Sequence, residues 1–531
     1  MDRYIEILDT TLRDGEQTDN VSFLPSEKLT IARGLLQDVK VDRVEVASAR
    51  VSEGEKEAVS MICRWAKSAG MLDRVEVLGF LDGGKSVDWL VDCGCKRINL
   101  LCKGSLRHCQ YQLNKTPEEH IADIIQTIEY ATAKGVSVNI YLEDWSNGMI
   151  DSPDYVFQMM EAIVNGSPPK IGGVAAGRGG MMARKGGMKS NVERIMLPDT
   201  LGVLNPLQVL EFVRKMVKRY PKAHFDFHAH NDYDLAISNV LAAVLSGCQG
   251  IHATVNGLGE RAGNAPLASV QAILHDQFKA HTNIDEAALY KISRLVESYS
   301  AIPISPNKPI VGESVFTQVA GVHADGDNKH NLYQNNLKPE RFGRKREYAL
   351  GKNSGKANII KNLDALGLEL TPEQTKLVTE RITELGDRKE IVTPDDLPFI
   401  VNDVIKHNAD NNKVKLVGYM VSTARSLRSY ASLRIEIDGV EYEAASTGDG
   451  QYDAFVKGLH KIYTEKLHRE FPVLTNYFVT IPPGGRTDAL VQTVISWEYK
   501  GKSLRTRGLD ADQTDSAIKA TIKMLNAIEN M

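Results

Sequence analysis

The sequence predicts an α/β protein: a (β/α)8 TIM barrel, followed by a helical linker region and a C-terminal duplicated βββα domain. Three observations lead to this fold class. Up to about residue 280, short β-rich runs alternate with segments of helical periodicity. Eight such runs fit within about 250 residues, the length that a closed barrel of this type needs. Near the carboxyl terminus, an internal repeat indicates a separate domain with two similar halves.

The first domain is predicted to span residues 1–280 with eight parallel strands. The strand candidates are residues 4–9, 43–47, 74–80, 97–101, 136–142, 194–198, 224–228 and 250–255. A Rossmann fold is the alternative for such alternation, but no GxGxxG motif follows the first run. Residues 166–190 interrupt the pattern with eight glycines, five basic residues and no acid, which indicates a flexible loop.

Residues 281–408 are predicted to form helical linker subdomains, because proline and glycine break the helical segments there. The tail, residues 409–531, repeats a pattern of three strands and a helix. Its strands are expected at 414–421, 432–437, 441–445, 476–481, 490–499 and 503–507. Asp453 and Asp515 occupy matching positions near the two helix starts and are suited to cap them. Two such halves would form a crevice for a ligand; a purely structural or dimerising role is the alternative.

The composition is that of an ordinary soluble protein, with 42% apolar and 25% charged residues and a formal net charge of -4. That charge favours neither nucleic acid nor an anionic membrane as a partner. No run approaches the roughly 18 apolar residues of a membrane span, and we expect a cytoplasmic protein. The six cysteines include no CxxC pair, so reduced, buried thiols are expected rather than a disulfide scaffold or a zinc ribbon.

Side chains that can carry chemistry follow the predicted strands where each strand ends, which is where a TIM barrel builds its active site. These residues come from strands one, five, six, seven and eight. They are Arg13, Asp14, Glu143, Thr200, His228, His230 and Asn264.

Four of these residues predict a metal site. His228 and His230 are two positions apart, so the period of a strand points both imidazoles to one face. Asp14 adds an anionic oxygen and Asn264 a neutral one. This mixed set of nitrogen and oxygen ligands suits Zn, Mn or a partly hydrated Mg ion. Histidines that are only hydrogen-bonded are the alternative for the HxH pair.

Arg13 and Glu143 are candidates for the chemistry beside that metal. Arg13 would supply a fixed positive charge where a carbonyl oxygen becomes an alkoxide. An ion pair with a neighbouring carboxylate is its alternative role. Glu143 comes from the opposite side of the barrel and could transfer a proton or orient an acyl partner.

Three motifs together resemble the DRE-TIM metallolyases: the Arg13 and Asp14 motif, residues 228–232, and the glycine-rich residues 257–264. The closer resemblance is to the branch that joins acetyl-CoA to a 2-oxo acid by Claisen condensation, the 2-isopropylmalate synthase and homocitrate synthase family. Residues 321–326 and 351–355 resemble that branch's linker motifs, and the tail resembles its amino-acid-sensing regulatory domain. Nearly the whole chain is covered.

The resemblance implies a divalent metal held by the four ligands above and acetyl-CoA as co-substrate. It implies that Arg13 and Thr200 bind the oxo acid. Glu143 and, from the linker, His323 and Tyr333 would serve the acetyl-CoA half of the reaction. It also implies a homodimer in which the linker of one chain completes the site of the other. Which group removes the methyl proton of acetyl-CoA stays open.

The acceptor is predicted from residues at three strand ends. Leu78, Leu101 and Tyr141 would form an apolar wall sized for the methyl group of pyruvate, with ordinary strand packing as the alternative. Residues 140–147 are similar to members of the branch that take pyruvate. The second candidate acceptor is 2-oxoisovalerate, and 2-oxoglutarate is the third. Pyruvate as acceptor implies feedback by isoleucine, whereas 2-oxoisovalerate implies feedback by leucine.

Two other function classes are alternatives to a condensing enzyme. A lyase or carboxyltransferase of the same superfamily would share Arg13 and Asp14. Carboxyltransferases, however, need a lysine that carries carbon dioxide, and the tail does not resemble a biotin carrier. A non-catalytic amino-acid-binding protein is the second alternative, and the intact set of ligands, arginine and glutamate argues against it.

Overall fold

The eight predicted strands form a closed parallel barrel, in which each strand pairs with the next along the chain and the eighth pairs with the first. The predicted fold class is therefore confirmed. We number these strands β1–β8 in chain order. They are Glu6–Asp9, Arg43–Ser48, Val75–Phe80, Arg97–Lys103, Ser137–Glu143, Val192–Asp199, Phe225–Ala229 and Gly250–Ala253.

The computed structural model describes residues 3–165, 192–328, 332–387, 392, 394–398, 400–401, 413–480, 491–510 and 512–531. The glycine-rich segment 166–190, predicted to be a flexible loop, lies outside these residues. The chain forms two compact units: Met1–Phe316 with Gln334–Arg346, and Thr317–Tyr333 with Glu347–Met531. The predicted domain boundaries at residues 280 and 408 stay predictions.

Helices follow the strands around the barrel. Many begin with a proline in the first turn, and Thr116 caps one of them by accepting a hydrogen bond from the main-chain N–H of Glu119 (3.2 Å). The helices of this unit are Pro25–Arg33, Glu53–Ser68, Lys85–Asp92, Leu106–Tyr111, Pro117–Ala133, Trp145–Asp151, Pro153–Asn165, Pro206–Arg219, Ala236–Ser246, Leu267–Phe278 and Leu289–Ser300. Across the described ranges, no helix has both the length and the apolar character to cross a membrane.

The strands are buried on both faces, as parallel strands covered by helices must be. On β1, Ile7 packs into the large core that strands and helices share. Its neighbour Leu8 belongs instead to a small separate cluster with Leu78 and Tyr141. Successive residues of a strand thus face the helices and the barrel interior in turn. All six cysteines of the chain are free and buried.

Charged side chains fill part of the barrel interior away from the carboxyl ends of the strands. Arg43 on β2 is 3% exposed and donates to Glu76 (3.1 Å) and to Asp226, both of which are fully buried. Nε2 of His252 lies 3.3 Å from the same Asp226 carboxylate. Burial opposes the charge on Asp226, but Arg43 and the neighbouring imidazoles hold its pKa well below the usual range. This interior layer is stable because its charges are paired.

Three helices of the predicted linker region lie beyond the barrel unit: Gly321–Asn328, Lys356–Ala365 and Pro372–Asp387. Thr317–Gln318 also pairs in parallel with Glu347–Tyr348. This small sheet was not predicted, because two-residue strands are too short to show an alternating pattern.

The tail contains the predicted duplication. Two antiparallel three-stranded sheets are each followed by a helix. The first half is Val414–Ser422, Ser429–Ile437, Val440–Gly448 and helix Gln451–Lys461. The second half is Val473–Thr480, Val491–Tyr499, Lys502–Asp510 and helix Gln513–Glu529.

The expected aspartate caps are corrected by the structure. The helices begin two residues before Asp453 and Asp515, which therefore lie in the first turns rather than at the cap positions. Gly450 occupies the first cap position, and Asp512 occupies the second and accepts from the N–H of Thr514 (2.7 Å). A first-turn carboxylate still interacts favourably with the helix dipole.

We expect Arg43→Met to destabilise the protein by about 3–5 kcal/mol, because it removes the guanidinium that two buried carboxylates share. The measurement is the midpoint of urea unfolding, monitored by circular dichroism. The control is Lys215→Met, which breaks an exposed pair with Glu211 and should cost at most about 0.5 kcal/mol. Equal midpoints for the two variants would contradict the stabilising role of Arg43.

Candidate active site

Asp14, His228 and His230 lie together at the carboxyl end of the barrel and are buried. β7 ends at Ala229, and the period of the strand directs both imidazoles to one side. Nε2 of His228 lies 3.1 Å from Oδ2 of Asp14, and Nε2 of His230 lies 3.9 Å from the same oxygen. The candidate ligand atoms are all within 4.8 Å of one another, close to the separation of ligands around a single ion.

Asn264 reaches this cluster from the glycine-rich segment after β8. An isolated antiparallel bridge pairs its backbone with that of His230. Its side-chain Nδ2 donates to the carbonyl of Leu258 (3.1 Å), which leaves Oδ1 as the free end of the amide. The turn that delivers Asn264 depends on Gly263, whose φ is 82° and where a Cβ would lie 2.0 Å from the carbonyl oxygen of Gly257.

The cluster fits a divalent metal. Within the described part of the chain, Oδ1 of Asp14 and Oδ1 of Asn264 are buried without a hydrogen-bond partner. Leaving such an atom unsatisfied costs about 1–3 kcal/mol, so it points to a missing ligand. One carboxylate, two imidazoles and one amide oxygen, with room for substrate oxygens, form a donor set typical of Mn, Mg or Zn.

The protonation states agree with metal binding. Burial opposes the charge on Asp14, but the Arg13 guanidinium and the two imidazoles more than offset it and hold the pKa of Asp14 well below its usual range. Burial lowers the pKa of His228, and burial together with the neighbouring His228 lowers the pKa of His230 to about 4. At neutral pH the site therefore presents a carboxylate and two neutral imidazoles, the forms that bind metals.

Arg13 is held between two carboxylates. Its Nε donates to Glu45 (2.6 Å), and its Nη1 lies 3.3 Å from Asp14. Its Nη2 is buried with no hydrogen-bond partner in the described residues. The guanidinium is therefore fixed with its Nη2 left for a ligand, which suits recognition of a carbonyl or carboxylate oxygen.

Glu45 was not among the predicted site residues. It is fully buried, and besides Arg13 it accepts a hydrogen bond from Asn99 (2.7 Å), which in turn accepts one from Asn139 (2.8 Å). This chain crosses the barrel interior from β2 to β5 and orients the Arg13 side chain. A carboxylate or amide inside an otherwise apolar strand was the signal in the sequence that could have identified it.

Lys28 fixes the loop that carries Arg13 and Asp14. Its side chain is fully buried, and its Nζ donates to the main-chain carbonyl of Leu12 (3.0 Å). The same ammonium forms ion pairs with Glu16 and Glu55, each at 2.6 Å. One cation thus ties the loop after β1 to the first two helices of the barrel.

The three residues of the predicted acceptor wall are brought together. They belong to a small apolar cluster inside the barrel that consists of Leu8, Leu78, Tyr141, Met196 and the partly buried Leu101. The ring centroid of Tyr141 lies 5.7 Å from that of His228, and Cζ of Arg13 lies 5.6 Å from the same ring. The predicted wall is therefore adjacent to both the candidate metal ligand His228 and the Arg13 guanidinium.

Glu143 and Thr200 lie at neighbouring strand ends. Glu143 ends β5, and its carboxylate forms an ion pair with Lys103 at the end of β4. The Thr200 hydroxyl accepts a hydrogen bond from the main-chain N–H of Asp144 (2.8 Å), so its own proton is available to donate. Asp144 has a left-handed backbone (φ 63°), a conformation that often marks functional sites. Lys103 was missed because β4 was predicted to end at residue 101.

His323 and Tyr333 lie in the other compact unit. Their ring centroids are 4.3 Å apart. Gly326 permits this contact, since a Cβ there would lie 2.4 Å from the Tyr333 ring. The two side chains form a pair, and their part in the acetyl-CoA half of the reaction stays a prediction.

We expect His230→Ala to weaken Mn²⁺ binding by more than the roughly 10–100-fold that loss of an outer-shell partner costs, because it removes a metal ligand. Isothermal titration with Mn²⁺ measures this affinity. The control is the exposed His275→Ala, which should bind as the unmodified protein does. Unchanged affinity in His230→Ala would refute the assigned ligand set.

Comparisons with known proteins cover nearly the whole chain. The HMGL-like family model matches residues 4–296, the "Homocitrate synthase post-HMGL domain-like" model matches residues 310–390, and the "LeuA allosteric (dimerisation) domain" model matches residues 391–529. Together these three matches follow the order of barrel, linker and tail.

Named relatives are similar over nearly their full length. The 2-isopropylmalate synthase of Methanocaldococcus jannaschii is 34% identical, with 99% of this chain and 94% of the relative covered. The (R)-citramalate synthase of the same organism is 31% identical, with 99% and 100% covered. A putative (R)-citramalate synthase of Archaeoglobus fulgidus is also 31% identical, with 99% of each chain covered. The chain therefore belongs to the HMGL-like, DRE-TIM family and, within it, to the acyltransferase-type condensing enzymes that include the 2-isopropylmalate and (R)-citramalate synthases.

Proposed function

We propose that the protein is an (R)-citramalate synthase, which condenses acetyl-CoA with pyruvate and hydrolyses the product to (R)-citramalate and CoA. The observation that carries this proposal is the apolar wall of Leu78, Leu101 and Tyr141 beside Arg13 and the metal ligands. The proposal places the enzyme in the cytoplasm and in isoleucine biosynthesis.

The size of the wall supports pyruvate as the acceptor. A 2-oxo acid that presents its oxygens to Arg13 and the metal ligands directs its side chain at the Tyr141 ring and the two leucines. We infer that these bulky groups suit a methyl group better than the isopropyl group of 2-oxoisovalerate, which has two more carbons. Each methylene changes binding by about 1–3 kcal/mol, which is enough to set a preference.

The chain's own residues have distinct roles in this proposal. Asp14, His228, His230 and Asn264 would hold the metal, which when bound polarises the ketone of the oxo acid. Arg13 binds the carbonyl side of the oxo acid, and the Thr200 hydroxyl donates to its carboxylate.

Glu143 serves the second substrate. In this proposal its carboxylate accepts the methyl proton of acetyl-CoA, so that the methyl carbon attacks the ketone. Water then hydrolyses the thioester and releases CoA. His323 and Tyr333, from the linker of the partner chain in a homodimer, are proposed to bind the acyl end of acetyl-CoA.

A 2-isopropylmalate synthase is the second candidate. Its support is the slightly higher identity of the Methanocaldococcus jannaschii 2-isopropylmalate synthase, 34% against 31% for the (R)-citramalate synthase of that organism. The difference is small, and the acceptor wall is the more direct observation.

We expect CoA release to be fastest with pyruvate when pyruvate, 2-oxoisovalerate and 2-oxoglutarate are compared. Leu78→Ala should shift the kcat/KM ratio towards 2-oxoisovalerate by about 10–200-fold, because it removes three carbons from the wall and enlarges the space for the acceptor's side chain. The exposed Leu207→Ala is the control and should keep the original ratio. A preference of the unmodified enzyme for 2-oxoisovalerate would overturn the acceptor in favour of the second candidate.

The tail is proposed to bind a feedback amino acid, which the pyruvate assignment makes isoleucine, and to contribute to homodimerisation. Its support is the match to an allosteric dimerisation domain and the two similar βββα halves. The expected result is inhibition of CoA release by L-isoleucine and weaker inhibition by L-leucine. D-Isoleucine is the control for nonspecific effects. If neither L-isoleucine nor L-leucine changes the rate of CoA release, the proposal that the tail senses an amino acid is wrong.

A further inference from the structure

Lys103 has no role in the function proposed above, although it is a nearly buried cation at the carboxyl end of β4. It is 8% exposed, and its partner among the described residues is the Glu143 carboxylate. Burying an ammonium group costs free energy that a well-placed carboxylate only partly offsets. A buried ion pair that includes the proposed proton acceptor therefore needs an explanation.

The strand register places this pair directly above the acceptor wall. Leu101 is opposite Tyr141, and two residues later Lys103 is opposite Glu143. Residues two apart on a strand share a face, and they are separated by about 6–7 Å along it. Lys103 and Glu143 thus form the next layer towards the mouth of the barrel. A second substrate that attacks an oxo acid seated on the wall must approach through this layer.

The backbone of Lys103 is held from outside the barrel. Its N–H donates to Nε2 of His120 (3.4 Å), and its carbonyl accepts from the hydroxyl of Tyr155 (3.2 Å). Nδ1 of His120 lies 2.6 Å from the same hydroxyl oxygen. Burial lowers the pKa of His120 to about 4, so the ring is neutral and its Nε2 can accept. The three bonds close into a ring that fixes the end of β4.

The ends of β4 and β5 are also fastened to each other. The N–H of Gly104 donates to the carbonyl of Glu143 (2.6 Å). A Cβ at Gly104 would lie 2.6 Å from the carbonyl oxygen of Leu142, so this close approach requires glycine. The ammonium and the carboxylate are therefore set side by side before any substrate binds, which is the arrangement that electrostatic catalysis requires.

We infer that Lys103 is a catalytic residue for the acetyl-CoA half of the reaction, an inference that rests on the proposed condensing function. The methyl C–H bond of the thioester breaks, and its proton passes to the Glu143 carboxylate. The C–H electron pair forms a carbon–carbon double bond, and the carbonyl π pair moves to the thioester oxygen. The Lys103 ammonium donates a hydrogen bond to that oxygen and stabilises its negative charge, which returns to the carbonyl when the methyl carbon attacks the ketone.

The arrangement of charges supports separate roles for Arg13 and Lys103. Arg13 is occupied by Glu45 and Asp14 and has its free donor on the oxo-acid side of the site. Lys103 is on the face of β4 that continues the wall, and the Glu143 side chain is 25% exposed towards the mouth. Transfer of a proton to Glu143 removes the negative charge beside Lys103 as a new one forms on the thioester oxygen. The ammonium thus keeps one anionic partner throughout the step.

The test compares Lys103→Met, which keeps the length of the side chain without its charge, with Lys103→Arg, which keeps a charge. Three quantities are measured on the full-length protein with Mn²⁺: kcat for CoA release, the isotope effect of acetyl-CoA with a deuterated methyl group, and the affinity for pyruvate by titration calorimetry. Lys215→Met, on an exposed helix, is the matched control. Lys103→Gln replaces the methionine variant if that variant does not fold.

We expect Lys103→Met to lower kcat by about 10²–10³-fold, the loss that follows removal of one donor to a developing oxyanion. The isotope effect should rise, because C–H cleavage becomes more rate-limiting, while pyruvate affinity stays within about twofold. Lys103→Arg should retain most of the activity. If the ion pair were only structural, Lys103→Met would lower pyruvate affinity together with kcat and leave the isotope effect unchanged. Either that result or full activity in Lys103→Met would overturn the inference.

The proposed function and this inference fail separately. Turnover of the unmodified enzyme with the three oxo acids decides the acceptor. The role of Lys103 is decided by the kcat of the Lys103 variant relative to the kcat of the unmodified enzyme. Both are measured with whichever acceptor is preferred, because acetyl-CoA is the donor in every case. An unmodified enzyme that releases no CoA with any of the three would overturn both.

Discussion

Closure of the barrel between its first and last strands is the constraint on which the active site depends. β1 and β8 pair in parallel, and the pairing continues beyond β1 through a hydrogen bond from the N–H of Thr10 to the carbonyl of Ala253 (2.9 Å). The loops that follow these two strands are thereby brought side by side. Asp14 comes from one loop and Asn264 from the other, so candidate metal ligands 250 positions apart in the chain meet only because the sheet closes.

Inside the barrel, each buried guanidinium is paired with buried carboxylates. Arg13 is neutralised by Glu45 on one side and Asp14 on the other, and a layer below, Arg43 is neutralised by Glu76 and Asp226. In a low-dielectric interior such groups are costly to separate, so each one fixes the side chains that it contains. The geometry at the carboxyl end is thus an extension of the charge pairing that stabilises the rest of the barrel interior.

Much of this could be predicted from the sequence, because strand periodicity and barrel geometry act on short stretches of chain. The barrel and the duplicated tail follow from such local patterns, and the grouping of His228 and His230 with Asp14 follows from the rule that the strand ends of a barrel meet at one face. Glu45 and Lys103 were not predicted. The role of Glu45 depends on Arg13, and the role of Lys103 depends on Glu143, so each depends on a residue that is distant in the chain. Periodicity does not predict which interior side chains contact each other in a barrel.

The buried Lys28 has a consequence for ligand binding at the neighbouring site. Its bonds to Leu12, Glu16 and Glu55 hold the loop of Arg13 in place. The conformational entropy of that loop is therefore lost when the protein folds rather than when a ligand arrives. A ligand that reaches Arg13 and Asp14 meets a rigid receptor, so the ordering of this loop does not weaken its binding.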